Sequence, residues 1–490
     1  MIKVDYANAR PLDVHRWSDY SEVNIFVNEI YNDLKSIKGN EDISKKLVKV
    51  ILLDLYVAWC ADHSLMLMFS RDNNAYKAKS RYNELHIGKK IIGIIDALVK
   101  DGVIGQKKGF KDRISGIGFQ SRLWATNKLK AHFETVKFSQ FVINRNEDWD
   151  PIILRDKDKK NKEYDDTVET NRMRSVLLDY IKILENTHID IYDLDTPVLT
   201  VGTKKRTMRL QINQQDKLVR RVFNNLRWDQ GGRFYGGWWQ RCPKDYRKKI
   251  KMDGIMTAEV DFSGLHIVLL YAEEGINYWA EVNEDPYQLH GINDIDPDIN
   301  IRAAAKLLLL TAINSDDRKK TFQAFRAQSK AGTPEKKMTN EQLASMLAAL
   351  SNKHAPIAHQ LASGAGIDLM YVDSRITEKL IEKFTLVYKC PILTVHDSYI
   401  VPFGYDHFLY QEMQVAFEEV TGVKHPVVEH TTEYYDVIER EPHPDNPVDL
   451  QHDHYAGPPS QRHLTELELF RKFKGKPVHE DWVPDWTSVY

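Results

Sequence analysis

The chain is poor in cysteine and has no long apolar segment. Its three cysteines, Cys60, Cys242 and Cys390, lie far apart among 490 residues and offer neither a disulfide framework nor the spacing of zinc ligands. The N-terminus has no apolar signal core, and no stretch approaches ~20 uninterrupted apolar residues. These absences argue against a secreted or membrane-spanning protein. They predict a soluble chain in a reducing compartment, with room for two or three domains.

A strong net charge is also absent, but the charges are unevenly distributed. The formal net charge is −2. Residues 71–130 contain fourteen Lys and Arg against five acids, residues 203–251 fifteen against three, and residues 431–490 six against twelve. Two dense basic segments predict a polyanion partner, because each contact between a phosphate and Lys or Arg releases counterions. A merely solvated basic surface is the alternative.

The first basic segment lies within a pattern that resembles a winged helix domain. Apolar spacing predicts three helices, over residues 42–62, 80–85 and 89–100. Two short strands follow, joined by a basic loop that contains glycine. This order predicts that the last helix and the basic wing contact nucleic acid. The four cations assigned to these contacts are Lys89, Lys90, Lys107 and Lys108. A winged helix that contacts only protein is the alternative.

Two aspartates are predicted at the ends of strands. Residues 255–261 form a predicted strand that ends at Asp261, and a helix capped by Ser263 follows it. Asp397 lies in a polar turn between two apolar runs, which predicts a strand hairpin. Helices are also expected over about residues 170–185 and 213–226. Two carboxylates from separate strands can hold a pair of metal ions.

The residues around both aspartates resemble the polymerase I type (family A) of nucleotide polymerases. Residues 261–266, Asp-Phe-Ser-Gly-Leu-His, look like the first catalytic motif of that family, where Asp-Tyr-Ser-x-x-Glu is usual. Residues 396–398, His-Asp-Ser, match its second motif in the form of single-subunit phage RNA polymerases, whereas the DNA enzymes have His-Asp-Glu. Further matches follow in the family's order: Gly232-Arg233-Phe234, Gln240, Pro243 and Arg302-x-x-x-Lys306. The resemblance covers about residues 165–430.

The resemblance implies an α+β fold in which a right-hand polymerase core of palm, fingers and thumb follows the winged helix domain. It divides the chain into four parts: residues 1–140 as the N-terminal helical and winged-helix-like domain, 141–255 as a linker and thumb-like basic region, 256–440 as palm and fingers, and 441–490 as a Pro-rich acidic tail on the surface. The implied partners are a nucleic acid template and primer and nucleoside triphosphates, with no membrane.

The resemblance also implies residue roles. Asp261 and Asp397 would be catalytic and would hold two Mg²⁺ or Mn²⁺ ions, with the Phe262 carbonyl as a further ligand. Arg302 and Lys306, one helical turn apart, would contact the triphosphate. The remaining assignments are His266 to the nucleotide and Arg233, Gln240 and His396 to nucleic acid.

The family pattern breaks in the fingers helix and at the sugar-selecting position. Leu310 stands where the family has an aromatic residue, Asn314-Ser315 where it has Tyr-Gly, and His266 where the DNA enzymes have glutamate. The sequence therefore predicts a short, non-proofreading nucleotidyltransferase, DNA or RNA polymerase or primase-like, of a phage or mobile element in the cytoplasm of a bacterial or phage-infected cell. A non-catalytic replication initiator or regulator with a degenerate polymerase fold is the alternative. A metal-dependent nuclease is a third reading, and the choice between dNTP and NTP stays open.

Overall fold

The computed structural model contains 47% helix and 16% strand in several small sheets, so the predicted α+β class is confirmed. The structure describes residues 8–111, 116, 118–146, 148–203, 206–292, 295–424, 428–430 and 458–474. Its buried apolar side chains form two large clusters, one within residues 23–143 and one within residues 149–428. Among the described residues, no helix has the length and apolar character needed to cross a lipid bilayer.

The first cluster belongs to what we call the N-terminal unit, residues 8–146. Its elements are β1 (Ala9–Pro11), β2 (Arg16–Trp17), α1 (Ser21–Asn32), α2 (Glu41–Ala61), β3 (Met66–Phe69), α3 (Lys90–Lys100), β4 (Ile104–Lys107), β5 (Phe110–Lys111), β6 (Gly118–Phe119), β7 (Ser121–Ala125), α4 (Asn127–Thr135) and β8 (Asn144–Arg145). One sheet has the order β1-β3-β7-β4. The predicted helix over residues 42–62 and the two strands of the wing are thereby confirmed. β5 and β6 extend the wing as an antiparallel pair.

The predicted helix over residues 80–85 is wrong, because these residues form turns. The side chain of Arg81 is ion-paired with Asp150 at 2.7 Å and with Asp166 at 2.6 Å. Its guanidinium also lies over the ring of Tyr164, 3.5 Å from the centroid. These contacts with residues distant in sequence fix an irregular backbone where local apolar spacing favours a helix.

The middle of the chain contributes a second sheet and several hairpins. Its elements are β9 (Ile152–Arg155), β10 (Asn161–Lys162), α5 (Val168–Glu185), β11 (Ile189–Ile191), β12 (Val198–Thr203), β13 (Arg206–Gln211), β14 (Arg220–Phe223), β15 (Gly231–Tyr235), α6 (Lys244–Arg247) and β16 (Ile250–Met252). The predicted helix over residues 170–185 is confirmed as α5. The predicted helix over residues 213–226 is wrong, because turns lead into β14, which lies between β9 and β15. Val219, Val222 and Phe223 are all buried, and their spacing fits a helix as well as this strand.

The last part of the chain completes a central sheet and covers it with helices. Its elements are β17 (Ile255–Phe262), α7 (Leu265–Glu273), α8 (Ile301–Ile313), α9 (Arg318–Gln328), α10 (Asn340–Lys353), α11 (Gly366–Glu382), β18 (Leu393–Val395), β19 (Ser398–Pro402), α12 (Asp406–Thr421), β20 (Val428–His430) and α13 (Gln461–Lys474). The central sheet has the order β11-β16-β17-β19-β18, and β20 pairs with the end of β17. The predicted strand before Asp261 and the predicted hairpin around Asp397 are confirmed.

Two local expectations in this part need correction. Ser263 does not cap α7: Gly264 precedes the helix with φ 67°, and no side chain caps its first turn. The tail over residues 441–490 is described only at 458–474, and there it is not merely superficial. Phe470 of α13 is 2% exposed, and Arg462 is ion-paired with the buried Asp190 at 2.8 Å. The helix therefore packs into the body of the protein, because one of its faces carries apolar residues despite the many charges.

Candidate active site

The two predicted catalytic aspartates lie at one edge of the central sheet, Asp261 on β17 and Asp397 in the turn that leads into the neighbouring strand β19. Asp261 is opposite Ser398 in the register of β17 with β19, and Asp397 is the residue before Ser398. The amide of Phe262 donates a hydrogen bond to the carbonyl of Asp397 over 3.2 Å. Because opposed residues of antiparallel strands have Cα atoms about 4.5–5.5 Å apart, both aspartates belong to one end of the sheet.

The bend that carries Asp397 is a tight turn between β18 and β19. His396 has φ 55° and an exposed side chain, and Asp397 is partly exposed. Ser398 is buried, and its hydroxyl donates to Glu259 over 2.7 Å. Glu259 is in turn paired with Arg247 at 2.7 Å. Ser398 thus ties the hairpin to β17, while His396 and Asp397 are accessible.

A buried ion pair adjoins the aspartates. The Nε atom of Arg233 on β15 lies 2.6 Å from the carboxylate of Asp373 on α11, whose side chain is 2% exposed. Burial raises the pKa of Asp373 to about 6, the positive charge of Arg233 opposes this shift, and the negative charge of Asp397 adds to it. The ion pair therefore lies within electrostatic range of Asp397.

His266 faces the same group of charges from the first turn of α7. Its Nε2 atom lies 3.3 Å from Nη2 of Arg233. Burial and the charge of Arg233 lower the pKa of His266 to about 4, although Asp397 opposes the shift. His266 is therefore neutral near pH 7 and acts in this site as a hydrogen-bonding group.

Tyr287 connects the aspartates to α8. Burial raises the pKa of its hydroxyl to about 12, and the negative charges of Asp397 and Asp261 contribute to the shift. The guanidinium carbon of Arg302 lies 5.7 Å from the Tyr287 ring centroid, and Nζ of Lys306 lies 5.2 Å from it. Both side chains are exposed, and Arg302 is also ion-paired with Asp285 at 2.5 Å. α8 therefore presents Lys306 and a paired Arg302 beside a ring that adjoins the carboxylates.

The amide of Gln240 is engaged with the protein. Its Nε2 donates to the carbonyls of Phe234 at 3.0 Å and Thr394 at 3.1 Å, and its Oε1 accepts from the amide of Gly236 at 3.0 Å. Gln240 therefore joins the segment after β15 to β18. Its contact with nucleic acid stays a prediction, as does the ligand role of the carbonyl of Phe262, whose side chain is buried.

The four lysines predicted to contact nucleic acid lie in the N-terminal unit, whereas the aspartates belong to the central sheet. They are Lys89, Lys90, Lys107 and Lys108, at the start of α3 and the end of β4, and all are exposed. No carboxylate in the described ranges forms an ion pair with any of them. They are accessible to a polyanion, and their contact with one stays a prediction.

In a different part of the fold, three side chains with possible metal-ligand atoms lie within 4.8 Å of one another. Over the described part of the chain, this group is His188, Asp190 and Glu466. Asp190, however, already accepts from Arg462 at 2.8 Å and is 2.7 Å from His463, so a cation there would compete with a guanidinium. Asp261 and Asp397 instead offer carboxylate oxygens alone, the ligands that Mg²⁺ and Mn²⁺ prefer. This donor set suits those ions, and the two-ion site stays a prediction.

Two residues of the site were not assigned to it from the sequence. Asp373 carries a detectable signal, since it lies on the apolar face of α11 between the buried Leu369 and Ile376. A carboxylate on a buried helix face needs a partner, which here is Arg233. Tyr287 follows Asp285 in an irregular segment with no periodic signal.

No protein-family model matches the chain, and no curated protein matches it.

Proposed function

We propose that the protein is a template-directed, metal-dependent nucleotidyltransferase, a compact polymerase of the polymerase I type with a right-hand core. The observation that carries the proposal is the adjacency of Asp261 and Asp397 at one end of the central sheet, with Arg302 and Lys306 beside Tyr287. A nuclease would use the same two carboxylates but has no need of two cations for a triphosphate. The motif order from Arg233 to the His-Asp-Ser turn adds support.

The proposed chemistry explains these residue types. In nucleotidyl transfer a 3′-hydroxyl attacks an α-phosphate in line, and pyrophosphate leaves. Two Mg²⁺ or Mn²⁺ ions supply charge stabilisation to the attacking and leaving oxygens. Asp261 and Asp397 would hold these ions, and Arg302 and Lys306 would bind the outgoing phosphates. His266, neutral and next to Arg233, would contact the nucleotide through a hydrogen bond.

The N-terminal unit would recruit the nucleic acid. The chain order α2, β3, α3, β4, β7, with β4 and β7 paired as a wing, supports a winged helix domain. Turns over residues 80–85 replace its middle helix. The exposed lysines on α3 and β4 are the groups that would contact phosphates.

A second candidate is a non-catalytic nucleic-acid-binding initiator or regulator, and the end of α8 favours it. Leu310 replaces the family's aromatic residue. Asn314 closes the helix, where its side-chain amide donates to the Leu310 carbonyl over 2.8 Å. The buried Ser315 donates to the Thr311 carbonyl over 2.7 Å. These side chains cap the helix, so they supply none of the nucleotide contacts that the resemblance implies for their positions.

Primer extension and unprimed synthesis on single-stranded templates test the proposal, with Mg²⁺ or Mn²⁺ and with dNTPs or NTPs. We expect template-dependent product from the wild type. Asp261→Asn and Asp397→Asn should each lower the rate by about a thousandfold, since a loss of about 4 kcal/mol of transition-state stabilisation corresponds to that factor. The double variant should be no slower than either single variant, because both side chains would act on the same ions.

The matched control is Asp298→Asn, which removes an exposed acid between the central sheet and α8. It should leave the rate unchanged. Nucleic acid binding should persist in all variants. If the wild type binds nucleic acid but synthesises no product under any of these conditions, the polymerase proposal is contradicted and the non-catalytic candidate is favoured.

A further inference from the structure

A large polar cavity lies between the N-terminal unit and the segments around β13, β14 and β15. Its volume is about 880 Å³, within the range of ligand sites in proteins. Six arginines line it: Arg10, Arg16, Arg145, Arg209, Arg220 and Arg241. Two lining acids, Asp13 and Asp216, oppose them. A concave surface with this excess of guanidinium groups concentrates anions.

Four of these arginines are held in place by carboxylates. The ion pairs are Arg10 with Asp54, Arg16 with Asp54 and Asp216, Arg145 with Asp13 and Glu84, and Arg209 with Asp62, at 2.5–3.4 Å. A guanidinium has five N–H donors, and each of these arginines has only one or two carboxylate partners. The Nε atoms of Arg10 and Arg145 are buried and have no hydrogen-bond partner among the described residues. The ion pairs therefore orient the guanidinium groups without saturating them.

The other two arginines form no ion pair with a carboxylate of the described residues. The guanidinium carbon of Arg220, on β14, lies 5.7 Å from the ring centroid of Trp149. Burial and the nearby charge of Arg145 lower the pKa of Arg220 to about 10. Arg241 is exposed and follows Gln240 at the far wall of the cavity. A half-buried cation without an acid is destabilising, and a bound anion would compensate for it.

We propose that this cavity binds the phosphate backbone of a single nucleic-acid strand. The described lining residues include no aromatic side chain, so bases have no stacking platform and recognition falls on phosphates, independent of sequence. Gly236, on the cavity wall, directly follows β15, which carries Arg233 beside the candidate active site. A strand held here would therefore lie close to that site. The inference adds a second site to the proposed function, and it can fail separately from it.

The salt dependence of binding tests the inference. The ligand is a fluorescein-labelled single-stranded oligonucleotide of mixed sequence, followed by anisotropy at increasing NaCl. The slope of log K against log salt is negative, and each lost phosphate contact reduces its magnitude by about 0.7 for single strands. Arg220→Gln with Arg241→Gln should therefore reduce the magnitude of the slope by about 1.4. The matched control is Arg227→Gln, an exposed arginine of the same basic segment, which is paired with Asp229 at 2.7 Å. It should leave the slope unchanged.

Further arms separate the possible outcomes. Arg241→Gln alone changes an exposed position and should reduce the magnitude of the slope by about 0.7. This single variant keeps the test valid if Arg220→Gln unfolds the protein. Asp397→Asn should keep the slope while it lowers the rate of synthesis about a thousandfold, so the polymerase proposal and this inference can fail independently. An unchanged slope in the double variant, or an equal fall in Arg227→Gln, would overturn the inference. The inference would also be overturned if inorganic triphosphate bound in a manner that depends on Arg220 and the oligonucleotide bound independently of Arg220.

Discussion

Replacement of Arg233 by methionine should destabilise the protein in a way that depends on pH. The variant leaves Asp373 buried and without its cation, and breaking a buried ion pair in this way costs about 3–5 kcal/mol. The pKa of Asp373 is about 6 in the folded protein, against 3.8 for an exposed aspartate. Because the pKa is higher in the folded than in the unfolded protein, the free energy of unfolding falls as the pH rises from the unfolded value through the folded one. For a shift of this size the fall is about 3 kcal/mol. Loss of Arg233 raises that pKa further, so the variant should be most destabilised at pH 8 and much less at pH 5.

Urea unfolding at pH 5 and pH 8 measures this difference, with tryptophan fluorescence as the signal, since Trp238 and Trp239 are fully buried in the same region. Asp373→Asn in the Arg233→Met background removes the uncompensated charge and should restore most of the stability lost at pH 8. Synthesis should stay low in this double variant, because Arg233 is assigned to nucleic acid as well as to Asp373. Equal destabilisation at both pH values, or no recovery in the double variant, would refute the reasoning.

Three further predictions concern other parts of the molecule. Phe470→Ala should lower the unfolding free energy by about 3–5 kcal/mol in urea titrations, unlike the exposed Leu469→Ala, because Phe470 is 2% exposed. Burial lowers the pKa of His188 to about 3, so the folded protein loses stability as the pH falls below about 6.5, where the unfolded histidine takes up a proton. Between pH 7 and pH 5 the unfolding free energy of the wild type should fall by about 2 kcal/mol more than that of His188→Asn in the same titrations. Lys306→Gln should raise KM for the nucleotide about tenfold in steady-state synthesis, whereas Lys319→Gln, also exposed, should not change it.

The sequence predicted the elements whose pattern is local. The apolar spacing of α2 and α5 and the alternation of β17 follow from residues next to one another, and the structure confirms all three. The turns over residues 80–85 and the strand β14 depend instead on partners far away in the chain. Arg81 is held by Asp150 and Asp166, and β14 pairs in parallel with β9. No local window contains these contacts, so propensity predicted helices in both places.

The residues of the candidate site also separate into those that a local sequence pattern could predict and those that it could not. Asp261 and Asp397 could be predicted because each follows a readable strand, and two strand ends can meet at one edge of a sheet. Arg302 and Lys306 could be placed on one helix face from their spacing alone. The partnership of Arg233 with Asp373 could not, because it joins a strand to a helix across 140 residues. Long-range ion pairs of this kind leave no periodic trace in the sequence.

Two positions bear on the choice of sugar, Ser398 in the second motif and His266 in the first, and their contacts differ. Ser398, which matches the RNA polymerase form, is buried and donates to Glu259, so its hydroxyl serves the packing of the hairpin. The glutamate of the DNA form at this position would bring a second carboxylate next to Glu259 in a buried environment, which is unfavourable for any sugar. His266, by contrast, lies next to Arg233, and the negative charge of Asp397 acts on its pKa. Under the proposed function, the choice between dNTP and NTP therefore rests on His266 and its neutral imidazole, and the serine carries no information about it.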